Sequence, residues 1–379
     1  MTQNAGKMNI PAARIYFSEE DRKEVLARID ESLRTGQLTL GKFGRQFEQE
    51  FAKHVGVSHA IAVNSGTSAL EVPLRAWGVE GHSVVVPTNT FMATALAVWH
   101  AGGDVIFADC DESLCMDPAS LESVIRDDTK AVVFVHIGGV VPPQIERIAE
   151  ICRRRNILLL EDAAHAHGST FNGRAAGTFG QAAAFSFYPT KLMTSGEGGM
   201  IVTNDAKLDE QARVFRDQGK AGFLGNVHTE MGYNWRMSEP HAAIGITHLA
   251  RLNSFIAERR RIARLYDEAL ADVPHIERLV VPEGSVSNYY KYVAFLEPGI
   301  DRAQLKKRLR EEHSVSMSGE VYELPLHLQP VVEKMNGPGA GRYPLAEDLC
   351  RRQVCLPVYP NMTEAEASYV VDSLRKVLA

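Results

Sequence analysis

Seven short apolar runs between residues 58 and 203 constrain this chain more than any other feature. They fall at 60–63, 83–86, 105–107, 131–135, 157–160, 182–187 and 200–203, separated by turn-forming or helical segments. Such aliphatic runs suit strands buried on both faces. Helices between them imply a mostly parallel sheet, seven-stranded here, covered on each side. In open α/β sheets ligands gather beyond the C-terminal strand ends. Asn64, Pro87, His136, Asp162 and Tyr188 all stand just past such ends.

The flanks read differently. Residues 1–13 look like a loose lead-in. Ser18 then caps an acidic first turn, with Val25, Leu26, Ile29 and Leu33 at helical spacing up to Gly36. A second amphipathic helix over 43–55 carries Phe47, Phe51 and Val55 and stops at Gly56. After Ser238 a long helical pattern, broken once, runs to about residue 271 and joins a smaller C-terminal α/β domain. We expect a large domain over 1–250 and a small one over 251–379. The small one holds an apolar run over 289–295, a helix from Asp301 and a closing helix after Thr363.

At 379 residues the chain has room for both. A hydrophobic content of 45% and a charged content of 23% are those of an ordinary globular protein. The formal charge of −6 argues against a nucleic-acid partner. No apolar stretch nears the roughly 20 residues that span a bilayer, and residues 1–7 lack a signal-like apolar core. Five cysteines without a Cys-x-x-Cys pair fit reduced thiols, so a cytoplasmic location is expected.

Lys191 stands between the runs at 182–187 and 200–203, ahead of a Gly-rich turn. A lysine held there needs a covalent or ionic partner. Asp162 ends the run that begins at 157. A lysine that forms an imine and an aspartate that pairs a pyridinium nitrogen are the protein side of pyridoxal phosphate chemistry. The stretch 64–70 follows a strand and opens a helix. Gly66 allows close backbone approach, while Thr67 and Ser68 supply hydroxyls and first-turn amides to an anion or simply cap the helix. Phe91 stands where it could stack on a flat heterocycle or fill core. His165 and His167 are spaced as metal ligands are, but no third ligand is near. A hydrogen bond to the phenolic oxygen of the cofactor suits His165 better, and His167 reads as structural.

The motifs at 65–70, 161–168, 185–191, 196–199 and 232–237 together carry a resemblance. From about Ile10 onward the chain resembles the DegT-like sugar aminotransferases, fold-type-I pyridoxal phosphate enzymes. Weaker tail signals at 325–330 and 356–360 agree. The resemblance makes Lys191 the residue that carries the cofactor and later moves the proton, and Asp162 the partner of the ring nitrogen. Gly66, Thr67, Ser68 and Ser186 match the phosphate cup, and Phe91 the aromatic on the ring face. Asn234 matches an asparagine that reaches the phosphate from the other subunit, which implies a homodimer. His165 departs from the glutamine or glutamate often found at its position. Family members that dehydrate deoxysugars carry histidine where this chain has Lys191.

The resemblance therefore implies transfer of an amino group from L-glutamate to a nucleotide-linked keto-deoxysugar, with a dTDP-4-keto-6-deoxyhexose the favoured acceptor. Lys220, Arg236, Tyr322 and His327 are candidate substrate contacts. A 3-keto sugar, an aminocyclitol or an aminoshikimate-type precursor are alternative acceptors. A non-catalytic sensor or scaffold with the same fold is the rival of another class.

Overall fold

The apolar runs pair into one sheet in the computed structural model, which describes residues 8–220, 222, 226–337 and 339–379. The strands are β1 (His59–Val63), β2 (Ser83–Pro87), β3 (Asp104–Ala108), β4 (Thr129–Val135) and β5 (Leu158–Asp162). A small ribbon of β6 (Thr170–Phe171) and β7 (Arg174–Ala175) precedes β8 (Ala182–Ser186) and β9 (Gly199–Thr203). The sheet order is β1-β9-β8-β5-β4-β2-β3. From β8 to β3 neighbours run parallel, and only β9 is antiparallel to its partners, β1 and β8.

Strand alternation divides the core in two. Val85, Val132, Phe134, Leu159 and Phe185 face one layer, while Val84, Val86, Val133, Leu160 and Ala184 face the other. Helices α1 (Glu19–Thr35) and α2 (Lys42–Val55) lead in. Crossover segments carry α3 (Gly66–Ala76), α4 (Met92–His100), α5 (Pro118–Val124) and α6 (Gln144–Arg155), and α7 (Ala206–Arg216) follows β9. Ser18 forms a capping box with Asp21, and the φ of +72° at Gly36 ends α1.

Three expectations are corrected. Ile10 is no part of a loose lead-in: it is fully buried and bridges Val315, donating to Ser314 and accepting from Ser316. The long helix, α8 (Glu239–Ala269), is unbroken over 31 residues and runs straight through residue 250. On α1 the buried residues are Asp21, Val25 and Ser32, so Leu26 and Leu33 point outward at 65% and 64% exposure.

Beyond α8, β10 (Ile276–Arg278), β12 (Tyr292–Leu296) and β13 (Gln353–Leu356) form a second sheet, while β11 (Ser285–Val286) extends the β6–β7 ribbon. Helices α9 (Arg302–His313), α10 (Pro330–Asn336), α11 (Pro344–Arg352) and α12 (Glu364–Leu378) complete this part. A third core, centred on Tyr266, Tyr292, Leu356 and Tyr359, joins these elements to α8 and also takes in Ile10. All five cysteines are buried and unbonded.

Candidate active site

The C-terminal ends of β5 and β8, with the start of α3, border a cavity of about 340 Å³, large enough for a small organic ligand. Its floor is set by close backbone approach. A Cβ on Gly66 would come 2.7 Å from Cβ of Ser186, so glycine lets α3 begin against β8. Ser65 caps α3 by accepting from the Ser68 amide at 3.1 Å, and Gly66 and Thr67, the first residues of the helix, line the cavity. Such a helix start favours an anion. Ser68 is turned away: its hydroxyl donates to Asn64 at 2.7 Å and it does not line the cavity, whereas Ser65 does.

Asp162 is buried at the end of β5. Its carboxylate accepts from Thr94 Oγ1 at 2.9 Å and from the Ala164 amide at 3.2 Å. Burial pushes its carboxyl up from the ordinary range, against these two bonds and the positive charge of Lys191. A carboxylate in this state favours a nearby cation or a protonated nitrogen. Pyridoxal phosphate fits this donor set: a helix start for phosphate, a buried carboxylate for a ring nitrogen and a lysine lining the same cavity.

Lys191 lies in the connection from β8 to β9, its amide donating to the Tyr188 carbonyl at 2.9 Å. Its Nζ sits 5.1 Å from the Tyr290 ring centroid. The same ring stacks on His165 at 4.3 Å. Burial first, then the charges of Lys191 and Lys291, hold His165 well below the ordinary histidine range, so it is neutral. Its Nδ1 is buried without a hydrogen-bond partner. Tyr290 is shifted down: burial pushes its phenol up, but Lys191, Lys291 and Thr190 outweigh it.

Gly66, Thr67, Phe91, Asp162, His165, Ser186, Lys191 and Tyr322 thus meet around one cavity. Phe91 is 64% exposed at its edge. Asn234 is exposed and outside the lining, bridging Asp217 on its own chain. Arg236 is also outside, paired with Asp217 at 2.6 Å, and Lys220 borders a different hollow beside α2 and α7. His327, predicted as a substrate contact, does not line the cavity. Its ring is buried and engaged at both nitrogens, by Thr88 at 2.6 Å and Glu347 at 3.0 Å. His167 packs among Phe51, Phe185 and Phe187, and no cluster of three metal-ligating residues occurs among the described residues.

Sequence reasoning did not single out Thr94, Tyr290, Lys291 or Glu320. Thr94 had a signal, since it lies three residues past Phe91, in the segment that follows β2. The others come from segments more than 90 residues beyond Lys191, folded back by the small part of the chain. Asn288 holds the 287–291 segment in place, donating from Nδ2 to the carbonyls of His165 and His167 and accepting from the Tyr290 amide.

Comparison with known proteins agrees with this arrangement. Residues 19–375 match the model of the DegT/DnrJ/EryC1/StrS aminotransferase family, whose aminotransferases depend on pyridoxal phosphate. A UDP-N-acetyl-3-dehydro-alpha-D-glucosamine 3-aminotransferase of Acidithiobacillus ferrooxidans is 34% identical, with 100% of each chain covered. A dTDP-4-dehydro-2,3,6-trideoxy-D-glucose 4-aminotransferase of Saccharopolyspora spinosa is 33% identical, with 94% of each covered. The crystal structure of S. venezuelae DesV in complex with a ketimine intermediate superposes with a TM-score of 0.90 at 32% identity, covering 97% of this chain and 98% of that one. The chain belongs to the DegT/DnrJ/EryC1/StrS family and is a sugar aminotransferase.

Proposed function

We propose that this aminotransferase binds pyridoxal phosphate at Lys191 and moves the amino group of L-glutamate onto a nucleotide-linked keto-deoxysugar, a dTDP-4-keto-6-deoxyhexose. One juxtaposition carries the reading: a buried carboxylate with only two hydrogen-bond donors shares a cavity with a lysine and an open helix start.

When bound, pyridoxal phosphate supplies an electron-accepting ring that spreads the charge on a carbon losing its proton. Asp162 holds the proton at the ring nitrogen. The Gly66 and Thr67 amides, the Thr67 hydroxyl and Ser186 Oγ hold the phosphate, while Ser68 keeps the turn in shape. Neutral His165 donates to the phenolic oxygen, and Phe91 covers one ring face. Lys191 Nζ removes the proton from the α-carbon of the donor in one half of the cycle and delivers a proton to the sugar carbon in the other. Tyr322, buried beside His165, borders the space left for the sugar.

In this reading the working unit is a homodimer in which Asn234, exposed and outside its own cavity, reaches the phosphate of the opposite chain. Exposed Leu26, Leu33 and Met231 offer apolar surface for such contact. Lys220 and Arg236 would then face the acceptor of the opposite chain. A 3-keto acceptor is the second reading, favoured by the full-length relative named for a 3-dehydro sugar.

The test is to incubate the holoenzyme with L-glutamate and a panel of 3-keto and 4-keto nucleotide sugars and identify the product by NMR. A 4-amino sugar is expected. Product from 3-keto sugars alone would replace the acceptor, and no product from any sugar would end the proposal.

A further inference from the structure

The proposed cofactor accounts for two of the charged groups in the cavity, Asp162 and Lys191. Phosphate goes with the start of α3, the ring nitrogen with Asp162, and Lys191 carries the cofactor itself. Among the described lining residues the one remaining lysine or arginine is Lys291. Its Nζ is 5.5 Å from the Tyr290 ring centroid, against 5.1 Å for Lys191, so two ammonium groups border one phenol ring. Of the two remaining acids, Glu197 and Glu320, the second is matched by Lys306 at 2.7 Å and Arg302 at 3.6 Å. Lys291 Nζ has one neutral partner, the Gly319 carbonyl at 2.9 Å, which leaves two of its donors free for an anion.

The backbone around Lys291 is fixed in advance. Its amide donates to Gly138 at 3.3 Å, Asn288 clamps the segment, and Tyr289 takes the left-handed conformation with φ +50°. The backbone that carries this cation thus needs no reordering to meet a ligand.

We propose that Lys291 is the residue that binds a carboxylate of the amino donor. This rests on the aminotransferase reading above, because an amino donor is what brings a carboxylate to this cavity.

Glutarate, a dicarboxylate without an amine, separates the binding from the chemistry. It is titrated calorimetrically into the holoenzyme, K291Q and K291R, with cofactor content followed by absorbance. Lys291→Gln is expected to weaken glutarate at least about tenfold with cofactor content unchanged, and Lys291→Arg to stay within about threefold. Glutarate bound by K291Q within about twofold of the unsubstituted enzyme overturns the inference, as does its failure to bind the unsubstituted enzyme. Loss of cofactor from K291Q alongside glutarate also overturns it. An enzyme that binds glutarate through Lys291 and takes the amino group of glutamate onto the cofactor, yet transfers no amine to any sugar, contradicts the proposed acceptor and leaves the donor site standing.

Discussion

Glu161 and Asp162 are neighbours on one strand, equally buried, and opposite in condition. Glu161 points to one side of the sheet, where His136 lies 2.8 Å away and the amides of Gly177, Phe179 and Gly180 all donate to it. Asp162 points to the other side and has a hydroxyl, one amide and the more distant charge of Lys191. The first carboxylate is fully matched by its own chain and knits the 177–180 turn to β5. The second is left short of partners, with burial pushing its carboxyl up. Burial alone therefore marks neither residue as functional; in the proposed function it is the unmet demand of Asp162 that a ligand answers.

Four substitutions probe that contrast. On the Asp162 side, Lys191→Ala should lower amino transfer about 10⁴-fold or more by removing the proton carrier. Thermal unfolding of the cofactor-free protein should be unchanged, and a lowered midpoint would mean that Lys191 is structural. On the opposite side, Glu161→Ala leaves His136 and three amides without their acceptor. A loss of about 3–5 kcal/mol in urea unfolding is expected, with transfer per folded molecule retained within about threefold.

Asp162→Asn keeps the shape and removes the charge. We expect transfer to fall about 10²–10³-fold, the scale of a lost electrostatic contact in a dry site. The stability sign is the reverse of that for Glu161. A carboxyl raised on folding stabilises the fold only at low pH, and that contribution is lost as pH rises through its folded value. At pH 7 the cofactor-free Asp162→Asn protein should therefore melt higher than the unsubstituted one.

The smallest effect concerns His167, which burial and then the charge of Lys191 push down to about 3. The unfolded chain takes up its proton near 6.5 and the folded chain refuses it. Stability from this group is whole above 6.5 and is lost as pH falls towards the folded value. His167→Phe should thus reduce the loss of stability between pH 7 and pH 5 by about 2 kcal/mol, measured by urea unfolding at both values. Equal acid sensitivity in both proteins would place the acid response elsewhere, with His248, which burial pushes down to about 4, the next to substitute.

Much of the fold was legible because its signals are local. Each strand of the main sheet lies on or beside an apolar run, and Gly36, Gly56 and the Thr363 capping box end or start helices where the sequence says they do. What depends on distant packing was not legible. Ile10 reads as lead-in until Val315 is beside it. Leu26 and Leu33 read as core until α8 takes the Val25 side of α1. His327 reads as a polar group near a proline, and only the fold brings Thr88 and Glu347 to its two nitrogens. Tyr290 and Lys291 sit in an apolar-looking run whose approach to Lys191 is made by Asn288, a contact that spacing does not encode.

In the proposed function a cofactor ring supplies the partner that Asp162 lacks on its own chain. The most direct measurement is the visible absorbance of the purified enzyme before and after addition of L-glutamate, compared with Asp162→Asn. An absorbance band that glutamate removes and 2-oxoglutarate restores is expected, with the change slowed at least about 10²-fold in Asp162→Asn. A band that glutamate leaves unchanged, or one that responds equally fast in both proteins, would contradict the proposed function.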